Sequence, residues 1–149
     1  MTLIRSVIRI SLATGIACLL SVCKNGNPVE PVEPVPTELE GSWSGMNKDG
    51  IDQTQWTYTM TLDSIVIVGT LYDTETTRYR GSFILDTTVV PRAITIAIGE
   101  SSDATATGKT IPAIYQLSGN ILEISGNAPG SNRPAALSEG PVISLIDTN

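Results

Sequence analysis

Trp56-Thr57-Tyr58-Thr59-Met60-Thr61-Leu62, or WTYTMTL, sets an aromatic or large apolar side chain at every second position and a threonine between each pair. A period of two belongs to an extended strand with one face in a core and the other in water. AITIAI, residues 93–98, repeats the pattern with Ile94, Ile96 and Ile98 on one side. Working outward from these two, eight β runs in all are read, at Glu40 to Met46, Gln55 to Leu62, Ile65 to Tyr72, Thr77 to Leu85, Ala93 to Gly99, Thr110 to Leu117, Ile121 to Ser125 and Pro141 to Ile146. Asp63-Ser64, Asp73 to Thr76 and Ser118-Gly119-Asn120 separate neighbouring runs at hairpin lengths. Sequential hairpins predict an all-β, up-and-down antiparallel meander. Eight such strands close into a small barrel, which removes the edges that an open Thr/Ile/Val-rich sheet would expose.

The 149 residues hold 9 Lys and Arg against 15 Asp and Glu, with no histidine and a single Phe. Arg5 and Arg9 stand in the N-terminal segment, so the rest of the chain is strongly acidic. Such a surface repels phosphate backbones, and no basic cluster offsets it, so nucleic acid is not an expected partner. The absence of histidine removes the commonest general base and the usual zinc ligand.

Ile10 to Val22 (ISLATGIACLLSV) is an uncharged run of 13 residues behind a basic start. That is short for a bilayer span and suits an export signal. Leu20-Ser21-Val22-Cys23 resembles the bacterial lipoprotein signal motif, in which the chain is cut before the cysteine and the thiol is acylated; Val22 stands where that motif has Gly, Ala or Ser. Gly15-Ile16-Ala17-Cys18 is a rival with the better residue before its cysteine and Gly where Leu belongs. The resemblance at Cys23 implies a palmitate-type lipid anchor in the cell envelope, with the outer membrane as the expected address and a periplasmic or secreted protein as the alternative. Lys24 to Thr37, with Pro28, Pro31, Pro34 and Pro36, reads as an extended spacer reaching on the order of 40 Å. The expected organisation is a signal peptide over 1–22, a lipidated cysteine and linker over 23–37, and the barrel domain over 38–149.

Leu39-Glu40-Gly41-Ser42-Trp43 resembles the L-x-G-x-W first strand of lipocalin-like barrels, with Gly41 and Trp43 as its structural signature. Together with GSFILD (81–86), PRAITI (91–96), IYQLSGN (114–120), Ala128-Pro129-Gly130 and Arg133-Pro134, it is similar in order and spacing to the uncharacterised lipocalin-like domain abundant in planctomycete proteomes. That family implies a fold and no activity. Its last strand usually ends on basic residues, and in lipocalins a late Arg covers the Gly-x-Trp indole. Here Leu145-Ile146-Asp147 carries none, which leaves Ile146 or Arg133 as candidate covers for Trp43.

Chemistry-bearing patterns fail on spacing. Thr107-Gly108-Lys109-Thr110 echoes the end of a phosphate-binding loop, but Asp103 stands where the first glycine is required. Asn47, Asp49, Gly50 and Asp52 suggest a cation loop, yet Trp56 falls where its terminal glutamate belongs. Ser21-Val22-Cys23-Lys24 straddles the expected cleavage site. Neither catalysis, a metal nor a cofactor is expected. Trp56, Tyr58, Phe83 and Tyr115 either line a cavity for a small apolar ligand or fill the core of a packed structural or envelope-protein-binding module.

Overall fold

The computed structural model describes residues 37–50 and 52–148; Cys18, Cys23, the apolar run and the Pro/Glu spacer up to residue 36 lie outside them. The strands are β1 (Gly41–Asn47), β2 (Gln55–Thr61), β3 (Ser64–Leu71), β4 (Thr74–Asp86), β5 (Arg92–Ser101), β6 (Thr110–Ser118), β7 (Ile121–Gly126) and β8 (Val142–Asp147). Each pairs antiparallel with the next, and β8 returns to β1 through the register Trp43↔Asp147 to Asn47↔Ile143. The barrel is closed, as the meander predicts.

Alternation places the core. Met60 and Tyr58 on β2, Ile65 and Ile67 on β3, Ile94, Ile96 and Ile98 on β5, and Leu122 and Ile124 on β7 are all buried, while the threonines between the β2 residues are wholly or partly exposed. Burying each large apolar side chain contributes about 1.5–3 kcal/mol. β4 starts three residues before the run read from sequence, because Tyr72 and Asp73, at φ 50° and 60°, make a two-residue turn that returns the chain at once. Asp-x-Thr recurs in three turns: Oδ1 of Asp52, Asp86 and Asp103 accepts from the backbone N–H and hydroxyl of Thr54, Thr88 and Thr105. Those bonds hold each of the three carboxyls below its ordinary pKa, the threonine side chain acting most strongly.

The two ends differ. At the lower end, which carries the N-terminal segment and the β2–β3, β4–β5 and β6–β7 turns, Leu39 is fully buried and its carbonyl accepts from Trp43 Nε1 at 2.9 Å. The indole is therefore capped by the segment that precedes its own strand. Neither Ile146 nor Arg133 is the cover: Ile146 is 52% exposed, and Arg133 donates to Thr95 Oγ1 at 2.7 Å. Glu38 anchors the same segment by accepting from Arg92 and, at 2.6 Å, from the Tyr115 hydroxyl.

The long β7–β8 connection, residues 127–141, contains a short 3-10 turn at Leu137–Glu139. Ala93, Ile114 and Ser125 alternate with inward residues and so point outward, yet each is buried. The Arg133–Thr95 bond and the approach of Gly140 to Ser125, where an added Cβ would lie 2.9 Å from Oγ, show what covers them.

Candidate functional site

Residues that could fill the barrel are distributed unevenly along its axis. Trp43, Met60, Phe83, Ile94, Tyr115, Leu122 and Leu145 pack with Leu39 toward the lower end. Toward the upper end, small residues face inward at Gly69, Ala113 and Gly126, with Ala113 and Gly126 directly paired across β6 and β7. A cavity of about 260 Å³ occupies this upper part.

Trp56, Tyr58 and Tyr79 supply its aromatic wall, and Ile67, Ile96, Ile111, Ala113, Ile124 and Ile143 its aliphatic one. Register explains the aromatic side. Tyr58 pairs with Ile67, and Ile67 with Tyr79, so one inner row crosses β2, β3 and β4 with a phenol at each end. Trp56 pairs with Gly69, and a Cβ there would lie 2.9 Å from the indole Cζ3. Glycine is what lets the large ring seat against β3.

Polar groups in the cavity are few. Trp56 Nε1 is buried with no hydrogen-bond partner. Among the described residues the Tyr58 hydroxyl also lacks one, and burial, reinforced by Tyr79, pushes its pKa well above the ordinary 10.0. Burial likewise raises Tyr79, with nearby Asp103 adding to it. Both phenols are therefore neutral at physiological pH. The rim is formed by Asn47, Asp52, Asn127, Ala128, Pro129 and Pro141. Among the described residues no lysine or arginine lines the cavity, and Asp52 is its one charged residue.

Of the four aromatic candidates read from sequence, the structure brings Trp56 and Tyr58 to the cavity and leaves Phe83 and Tyr115 outside its lining. Phe83 is core, and the Tyr115 ring is core with its hydroxyl turned to Glu38. Tyr79 was missed among the charged Arg78 and Arg80, although the inward alternation Tyr79, Gly81, Phe83 would have found it.

Both loop motifs make hydrogen bonds within the fold. Asp52 accepts from Thr54 through Oδ1 and from Asn47 Nδ2 through Oδ2 at 2.9 Å, tying the end of β1 to the start of β2. Among the described residues no three acidic, cysteine or histidine side chains gather as a metal site. Gly108, at φ 79°, and Lys109 form the β5–β6 turn, with Gly108 N–H donating to Ile98 O and Lys109 O accepting from Ile98 N–H.

Comparison of the chain with protein-family models, with curated proteins and with solved structures finds no match.

Proposed function

We propose that the protein is a lipid-anchored component of the bacterial cell envelope whose lipocalin-like barrel holds one small apolar or amphipathic molecule. The observation that carries the ligand is the cavity at the upper end, walled by three aromatic and six aliphatic residues and rimmed by a few polar ones. That composition is characteristic of small-molecule sites, and it favours a binding module over a barrel packed throughout. The anchor is supported by Leu20 to Cys23 and the proline-rich spacer behind it.

Size narrows the ligand. About 150 Å³ suffices for benzene, so a 260 Å³ space suits about ten non-hydrogen atoms. Long-chain fatty acids and retinoid-sized molecules do not fit within it. At roughly 0.5 kcal/mol per atom the affinity is about 5 kcal/mol, a Kd on the order of 0.2 mM.

Isothermal titration calorimetry with millimolar alkylbenzenes and small aromatic ketones tests the reading. Saturable binding with one-to-one stoichiometry is expected. If every probe gives only heats of dilution, and native mass spectrometry of gently purified protein shows bare chain alone, the binding function is wrong.

A further inference from the structure

Resting on the cavity-binding reading, we infer that Tyr58 is the hydrogen-bonding anchor of a site for neutral, ring-sized molecules carrying a carbonyl- or ether-type acceptor, and that the site rejects carboxylates.

Three features converge on this class. The first is position: Tyr58 is only 6% exposed, lines the cavity and has no hydrogen-bond partner among the described residues. A phenol that opens onto an apolar cavity with no protein partner is free to donate to a ligand's acceptor oxygen. The second is asymmetry. Tyr58 and Tyr79 sit in one row on the β2–β4 side, whereas Ile111, Ala113, Ile124 and Ile143 across β6–β8 offer only hydrocarbon. A planar molecule with one polar edge meets both walls, and a wholly apolar one leaves the phenol row unpaired.

The third feature is charge. A carboxylate taken into this space would find no cation among the described residues, since neither Lys nor Arg lines it, and would pass the Asp52 carboxylate at the rim. Burying an anion without a counter-charge is costly. An ammonium meets the Asp52 carboxylate only at the rim, where its oxygens already accept from Thr54 and Asn47, and among the described residues finds no anion deeper in the cavity.

Calorimetry with acetophenone, propylbenzene, benzoate and phenethylammonium, four probes of one size, separates the outcomes. The wild-type protein should bind acetophenone at least tenfold more tightly than benzoate or phenethylammonium. Tyr58→Phe, which keeps the ring, should lower the ratio of acetophenone to propylbenzene affinity by about fivefold, the worth of one hydrogen bond. An unchanged ratio overturns Tyr58 as anchor, and tightest binding of benzoate or phenethylammonium overturns the neutral class; both results leave cavity binding intact. Failure of all four probes on the wild-type protein instead refutes the underlying binding function.

Discussion

Replacing Gly45 by alanine should open the seam that closes the barrel. Gly45 lies on β1 opposite Leu145 of β8, and a Cβ built on it would sit 1.8 Å from Ser144 O, 2.8 Å from Ser144 C and 2.9 Å from Leu145 Cα. All three are backbone atoms, so no side chain can swing aside. Bringing the shortest contact to 3.0 Å requires the strands to part by at least about 1.2 Å. Ladder hydrogen bonds of ordinary length then stretch to roughly 4 Å and are lost. Two such bonds, with their buried partners left unsatisfied, cost about 3–5 kcal/mol, a large part of the roughly 5–15 kcal/mol that holds a domain folded. Gly99→Ala is the control: its nearest neighbour would be Arg80 O at 3.7 Å, an ordinary contact. There the loss of unfolded-state freedom should stabilise by a few tenths to about 1 kcal/mol. Urea unfolding followed by tryptophan fluorescence should show the midpoint of Gly45→Ala lowered by roughly 2 M and that of Gly99→Ala unchanged or raised. A loss below about 1 kcal/mol at Gly45, or an equal loss at both sites, would refute the close-approach reasoning.

Ala113→Val adds two methyl groups to the cavity wall; it should raise stability by about 1 kcal/mol and weaken binding of aromatic probes about tenfold, and undiminished binding would place the ligand elsewhere. Tyr58 gives an alkaline limit: its folded pKa is raised, so above pH 10.0 the unfolded chain loses a phenol proton that the folded chain keeps. Its share is complete below that pH and declines by about 1.4 kcal/mol per pH unit above it; burial also raises Tyr79 and Tyr115, so Tyr58→Phe should reduce the slope of the urea midpoints by this one share and leave theirs. Cys23→Ala should abolish acyl labelling and release the protein from membranes; retention of label and attachment would move the lipidation to Cys18.

Strand count and order were legible because they depend on local pattern. WTYTMTL and AITIAI carry their inward faces openly, and the turns at Asp63, Asp73 and Gly119 mark where the chain reverses. What fills the barrel was not legible in that way, because volume inside a barrel depends on which residues meet across strands. Trp56 reads as core filler until Gly69 is known to stand opposite it, and Ala113 reads as an ordinary small residue until its partner proves to be Gly126. Small residues at these inward positions deprive the upper half of filler, while Phe83, Tyr115 and Trp43 crowd the lower half. The cover of Trp43 was hidden for a different reason. A comparison with lipocalins directs attention to the last strand, yet the carbonyl that accepts from the indole belongs to Leu39, four residues upstream. Leu39 belongs to the L-x-G-x-W motif, and nothing in that motif marks its carbonyl as the acceptor of the indole N–H. The cavity is thus set by register and the closed end by a local backbone contact, and an inward-facing map of each strand pair would have exposed the first from sequence once the hairpin turns had fixed the pairing.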